Sequence, residues 1–224
     1  MSYKETYTEQ LRINFLKFTQ EAFKLLPKLD KPRVLDLGCG SGMLTLELAN
    51  LTDGNIIGID IDQVLLDKLI IKIKKRNLES RISTKRMDLL KNDFPDNYFD
   101  LIWEEGVVQI IGFKDSFEAC YRILKTGGYF VLGQAIKGID KNLKLIRKTG
   151  FELLNQIKWP RACWWTEYYK PLEKKIKAIR DGKEDPKLFD NINVLESEIK
   201  MVKANPNKFY CAHYILQKKG TQRK

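Results

Sequence analysis

The residues best suited to chemistry in this chain are Asp36-Leu37-Gly38-Cys39-Gly40-Ser41-Gly42. They close a short apolar run that begins at Arg33 and lead into a helical pattern from Met43. A buried strand that turns through glycines into a helix brings backbone N–H groups up to a ligand. A dinucleotide asks for G-x-G-x-x-G, whose third glycine packs helix on strand. Gly38 and Gly40 fit that spacing, but the third place is Met43, and Gly42 falls one position early. A glycine-rich turn without a ligand is the plain alternative. Asp60 ends the next apolar run about 22 residues after Gly38. An acid there is placed to accept hydrogen bonds from both hydroxyls of a ribose. Asp62 suits the N-cap of the following helix.

Other candidates are more open. Asp88 and Leu89 end a third strand-like run, and Glu104 and Glu105 end a fourth. Ligands of open α/β sheets bind beyond the carboxyl ends of the strands. One of the two glutamates is therefore placed to meet a ligand's cationic end or to act on a substrate, while the other is solvated. The cysteines (Cys39, Cys120, Cys163, Cys211) are scattered, with no C-x-x-C, and the only histidine is His213. That argues against a structural zinc site and a Cys–His nucleophile, and suits reduced thiols. His213 reads as a structural histidine. Cys163-Trp164-Trp165-Thr166-Glu167-Tyr168-Tyr169-Lys170-Pro171 packs four large aromatics into six positions. On a helix, Trp164–Tyr168 and Trp165–Tyr169 are i,i+4 pairs on neighbouring stripes. Trp165, Tyr169 and Leu172 are expected in the core, Trp164 and Tyr168 beside a ligand, with Pro171 opening the next helix.

The elements that must carry these residues alternate. Glu5–Leu26 predicts an amphipathic helix stopped by Pro27, and Met43–Asn50 a second one. Gln63–Arg76 predicts a third, with Val64, Leu65, Leu69 and Ile73 inward. Ser116–Leu124 is expected to end in a basic turn and glycines at 125–128, and Lys141–Lys148 to stop at Gly150. Between them lie strand-like runs at 33–38, 55–60, 81–88, 98–103, 129–135 and 151–159, with a last one at 208–219. Strands joined by single helices mean βαβ units and a largely parallel sheet covered on both faces. The expected architecture is a Rossmann-like seven-stranded α/β domain. Residues 1–30 form an N-terminal helical cap, 31–160 the core, 161–204 a helical insert between the last two strands, and 205–224 the last strand and a frayed tail.

Taken together, D-x-G-x-G-x-G at 36–42, Gly-Ile-Asp-Ile-Asp at 58–62, Met87-Asp88-Leu89, the run 98–106 and the run 122–132 resemble the class I methyltransferases that use S-adenosylmethionine. The resemblance covers roughly residues 31–132. It implies that Asp36, Gly38, Cys39, Gly40 and Gly42 hold the cofactor, that Asp60 takes the ribose, and that Ile61 lies against the adenine. It further implies that Asp88 meets the adenine amino group, that Leu89 offers a backbone N–H to the ring, and that Glu104 contacts the cofactor. The runs 102–113 and 164–173 resemble a subgroup of small methyltransferases with no assigned substrate. Glu105 and Tyr168 become the candidate catalytic residues, and Trp164 and Tyr168 the candidate acceptor wall. No Asn/Asp-Pro-Pro-Tyr/Phe follows the fourth strand, which departs from enzymes that methylate the amino groups of adenine or glutamine.

Composition leaves two readings of the acceptor. With 43% hydrophobic and 31% charged residues the chain has material for one good core. No apolar run approaches the roughly 18 residues of a membrane span, and the polar start has no signal-like segment, so a cytoplasmic protein is expected. The net charge of +11 can be a nucleic-acid footprint. Yet the basic residues alternate with apolar and acidic ones, as on the solvated face of a helix. A small-molecule acceptor is the leading expectation. The alternatives are an RNA or protein acceptor, a non-catalytic cofactor-binding module, and a nicotinamide dehydrogenase, which Met43 disfavours. Nothing in the pattern sets an oligomeric state.

Overall fold

The computed structural model describes residues 6–135, 139–189 and 191–220; Glu5 and the tail beyond 220 lie outside them. A seven-stranded sheet forms the centre, in the order β3-β2-β1-β4-β5-β7-β6. Its strands are β1 Arg33–Leu37, β2 Asn55–Asp60, β3 Ile82–Arg86, β4 Phe99–Glu105, β5 Leu124–Ala135, β6 Phe151–Lys158 and β7 Cys211–Lys218. Only β7 runs antiparallel to its neighbours, β5 and β6. The Rossmann-like α/β expectation holds, and the helical insert does lie between β6 and β7.

Strand period 2 divides each run between two helical layers. Val34, Leu101 and Trp103 pack with α2 (Leu16–Phe23), α3 (Met43–Leu51) and α4 (Gln63–Lys75). Leu35, Leu37 and Ile102 face α5 (Val108–Ile111), α6 (Phe113–Ile123) and α7 (Ile139–Lys148). A third cluster joins α1 (Tyr7–Arg12) and its neighbours Phe15 and Phe18 to the insert helices α8 (Lys170–Arg180) and α9 (Ile192–Ala204), across Trp159.

Four local expectations need correction. The N-terminal helix is two pieces, α1 and α2, joined by a 3-10 turn at Ile13–Phe15. The backbone stays in the right-handed helical region through that turn, so one continuous segment reaches from Glu9 at the glycine loop to Thr19 at Glu105. Val64, in the first turn of α4, is 64% exposed, and Leu66 takes its place in the core beside Leu69 and Ile73. Helix α6 ends at Ile123, and residues 125–128 belong to β5. There the pairing with β4 slips between Phe99 and Leu101, so the glycines serve a bulge. The aromatic stretch does not stop at Pro171. One helix continues from Cys163 to Arg180, with its second turn wound as a π-helix over Trp165–Tyr169. The wider turn accommodates the N–H that Pro171 lacks.

Candidate functional site

The sheet reverses its order between β1 and β4, the place where open α/β folds bind ligands. The glycine loop leaves β1 there. Gly38 and Cys39 donate their N–H groups to the Ile59 carbonyl at 2.8 and 3.0 Å, which ties the loop to the end of β2. Gly38 (φ 73°) and Gly42 (φ 88°) are sealed from outside: an added Cβ would lie 2.1 Å from Val107 Cγ2 and from Leu69 Cδ1, respectively. Beside Gly40 (φ 51°) an added Cβ would meet only Leu65 Cδ1, at 4.0 Å. Two glycines thus permit packing, and the middle one leaves backbone open to a ligand.

Asp60 organises this loop. Its Oδ2 accepts the Gly40 N–H at 2.9 Å, and its Oδ1 accepts the Asp62 N–H at 2.9 Å. Asp62 caps α4, accepting from Val64 N at 2.8 Å, as its position in the sequence implies. Asp88 accepts the Leu90 N–H at 3.0 Å and starts a 3-10 turn, while Leu89 is buried beneath it. Gly38, Asp60, Ile61, Asp88, Leu89, Val107 and Ile110 line a cavity of about 460 Å³. Ile61 and Ile110, 68% and 81% exposed, give it apolar sides. A larger hollow of about 1010 Å³ lies between α8 and α9 and shares no residue with this cavity.

Asp36 is fully buried. Its Oδ2 accepts the Thr45 hydroxyl at 2.5 Å, and its Oδ1 has no partner among the described residues. Burial outweighs that hydrogen bond and pushes the carboxyl up to about 7. Burial also drives the Cys39 thiol well above its ordinary range, aided by Asp36 and Asp60, so it is no nucleophile.

Glu104 and Glu105 are adjacent in sequence and point to opposite faces of the sheet. Glu104 is fully buried on the α5 side. It accepts the N–H groups of Val107 and Val108, the latter at 2.9 Å, and the Gln134 amide at 2.9 and 3.0 Å. Burial pushes it up to about 7 despite these donors. Glu105 faces α2. Its Oε1 accepts from Thr19 Oγ1 at 3.0 Å, Trp103 Nε1 at 3.0 Å and His213 Nε2 at 2.9 Å. Trp159 Nε1 donates to His213 Nδ1 at 3.1 Å, so Nδ1 must be an acceptor and Nε2 carries the ring proton. Burial raises Glu105, but these donors, His213 first, outweigh it and hold the carboxyl below its ordinary range.

Sequence reasoning missed this ring of partners. Thr19, Trp103, Trp159 and His213 are far apart in the chain, and only Gly133 carried a signal. A Cβ on Gly133 would lie 2.7 Å from Glu105 Cγ and 3.3 Å from His213 Cδ2; a glycine inside a strand marks such an approach.

The N-terminal segment closes over both places. Glu9 accepts the Ser41 hydroxyl in the glycine loop and lies 3.7 Å from Lys72 Nζ. Asn14 Nδ2 and Lys17 Nζ hold Glu167 of the insert, both at 3.0 Å. The expected division of the aromatic stretch does not hold: Leu172 is buried as expected, and Trp165 and Tyr169 pack against the same cluster, but Tyr168 joins them there. Tyr168, only 7% exposed, is the most buried of the four rings. It packs 5.7 Å from Trp164 and 4.9 Å from Tyr169, centroid to centroid. The π turn sets Trp164 beside both Tyr168 and Tyr169 instead of on a separate stripe. Trp164 lies tilted against Phe15 at 4.5 Å, centroid to centroid, and donates Nε1–H to Cys211 Sγ at 3.3 Å. No described contact joins Tyr168 to Glu105 or to the glycine loop, and burial raises its phenol.

The fold, the loop and the acid at the end of β2 agree with a comparison of sequences, in which residues 34–128 match the methyltransferase-domain family. Residues 34–128 are similar to a methyltransferase domain. The chain is 30% identical over 123 residues to the sterol 24-C-methyltransferase ERG6 of Saccharomyces cerevisiae, a match covering 54% of this chain and 32% of that protein. It is 31% identical over 122 residues to the demethylmenaquinone methyltransferase of Lactobacillus johnsonii, covering 53% and 50%. Matches to the curated relatives therefore span half of their length or less. Among solved structures, the [4+2]-cyclase SpnF superposes with a TM-score of 0.75 at 19% identity, over 96% of this chain and 84% of that one. At that identity the chain shares a fold with SpnF, and fold alone does not fix chemistry.

Proposed function

We propose that this chain is an S-adenosylmethionine-dependent methyltransferase acting on a small-molecule acceptor. The observation that carries the reading is the cavity at the sheet's switch point. There Gly38, the carboxylate of Asp60 that holds the Gly40 N–H, and the apolar side chains of Ile61 and Ile110 line a space within the range of cofactor pockets. In this reading Asp60 receives the ribose hydroxyls through its remaining lone pairs. Asp88 and the Leu89 N–H read the adenine edge, and Ile61 covers the ring. Asp36, with one oxygen unpartnered, and the backbone of Gly38 to Gly42 serve the amino-acid end. Glu104 acts indirectly by fixing the Val107 turn that walls the cavity. The bound cofactor supplies a methyl group already activated on a sulfonium, so the protein's task is to align an acceptor and exclude water. The capping segment and the aromatic cluster are suited to that exclusion.

Sterol and demethylmenaquinone acceptors of the two relatives favour a small molecule. The basic insert supports the same reading, since Arg180, Lys175 and Lys203 are tied to Glu196, Glu184 and Glu173. The location of the protein is left with one structural fact: among the described residues no helix is long and apolar enough to cross a membrane. Incubation with methyl-labelled S-adenosylmethionine and fractionated cell extract tests the proposal. Label is expected in small molecules; label confined to RNA or protein, or enzyme that takes up no cofactor, overturns it.

A further inference from the structure

Glu105 is an acid without a basic partner in a chain with 40 Lys and Arg residues. Among the described residues no Lys or Arg pairs with it; its one ion-pair contact is the ring nitrogen of His213. The Trp159 indole donates to that ring's other nitrogen, which leaves Nε2 to face Glu105. All the described hydrogen bonds to Glu105 fall on Oε1, and none uses Oε2. The side chain retains 21% exposure, whereas Glu104 beside it has none. Three N–H and O–H groups therefore fix a carboxylate in place, and its second oxygen carries no described hydrogen bond.

The surroundings select what that oxygen can meet. Trp103 and His213 touch the carboxylate directly, and their rings lie 5.8 Å apart, centroid to centroid. Trp159 stands 5.4 Å from His213, and Phe18 lies 4.6 Å from Trp159. An anion in such a setting is weakly screened, so its field on a neighbouring charge is strong. Aromatic surfaces favour organic cations, which shed water more readily than metal ions. A metal is the poorer fit: no group of three His, Cys, Asp or Glu able to hold one occurs among the described residues.

We propose that Glu105, held by His213, Trp103 and Thr19, is the seat of an organic ammonium group on the acceptor. This rests on the methyltransferase reading only for the word acceptor; the seat itself is a property of the Glu105 cluster. His213 and Trp159 are positioning residues that act through Glu105. Thr19 makes the seat depend on closure of the N-terminal segment, because α2 supplies one of the three donors.

Ligand-observed NMR titration tests the seat, run with and without S-adenosylhomocysteine. Methylammonium and choline are compared with the uncharged methanol and 3,3-dimethyl-1-butanol of similar shape. At least one cation is expected to bind about tenfold or more tighter than its neutral counterpart. Glu105→Gln should erase that preference, while S-adenosylhomocysteine affinity stays within about threefold. His213→Phe should weaken the cation in the same direction and leave the neutral probes unchanged. Equal binding of cation and neutral probe by the native protein overturns the seat, and so does a Glu105→Gln variant that loses S-adenosylhomocysteine instead, since the carboxylate then serves the cofactor's own ammonium. A cation preference in a protein that fails to bind S-adenosylhomocysteine supports the seat and counts against the cofactor reading alone.

Discussion

The two halves of the sheet make their sites by different means. On the β1–β3 side the cavity is built around the glycine loop and the strand-end acids Asp60 and Asp88, and it is walled by Val107 and Ile110 from beyond β4. On the β4–β7 side the Glu105 cluster is built from side chains at 19, 103, 105, 159 and 213. Glu104 and Glu105 stand at the boundary. The first is drawn into the wall and pushed up toward neutrality; the second is held as an anion facing the cap. Environments that drive neighbouring acids apart assign them different work. A backbone site tolerates little change in residue type, while a side-chain site can be rebuilt around a new ligand without touching the cofactor.

The largest expected effect lies in the aromatic cluster. Tyr168→Ala removes a buried ring and should cost about 3–5 kcal/mol of stability, by analogy with other buried aromatics. Chemical denaturation measures it, and S-adenosylhomocysteine affinity should survive in the folded fraction. A stable variant with lost turnover would instead return Tyr168 to the acceptor wall. Next is Asp60→Ala, which deletes a charged acceptor from the glycine loop. Affinity for S-adenosylhomocysteine should fall about a hundredfold, near 2.7 kcal/mol, with cation binding at Glu105 unchanged. Loss of both would show that the halves are not separable.

Gly133→Ala should have an intermediate effect. The new methyl crowds Glu105 and His213, and overpacking of this kind costs about 1–3 kcal/mol. It should disturb the Glu105 seat and spare the cofactor cavity; calorimetric titration of both ligands separates the outcomes. The smallest effect is on pH dependence. Asp36 and Glu104 are raised to about 7, so the fold holds their protons more tightly than the unfolded chain does. Their contribution is whole below the ordinary carboxyl range and is lost as pH rises toward 7. Glu105, held low, contributes above that range and loses its contribution on acidification. With two groups of the first kind, the ligand-free melting temperature should fall between about pH 4 and 7, and Asp36→Asn should flatten the slope. An unchanged slope in that variant would remove Asp36 from the account.

The backbone half was legible in the sequence because its requirements are local. Gly38, Gly40, Gly42 and Asp60 sit at spacings that only a few ligands need, and the strands around them read correctly from apolar runs. The side-chain half was not legible. Glu105 stood out as a strand-end acid, but nothing local ties it to Thr19 or to His213, which read as merely structural. The aromatic stretch was visible as a cluster, and its division failed because a π turn changed the period on which the stripes were drawn. Val64 failed because the apolar run from Val64 to Leu66 fits more than one helical face, and the buried one runs through Leu66, Leu69 and Ile73.

The claim that the backbone half holds an adenosyl cofactor can be tested directly by calorimetric titration of the native protein with S-adenosylhomocysteine. Saturable binding at one site per chain is predicted, with micromolar affinity that Asp60→Ala weakens and Glu105→Gln preserves. No binding at millimolar ligand, or equal affinity in native protein and Asp60→Ala, would contradict the account.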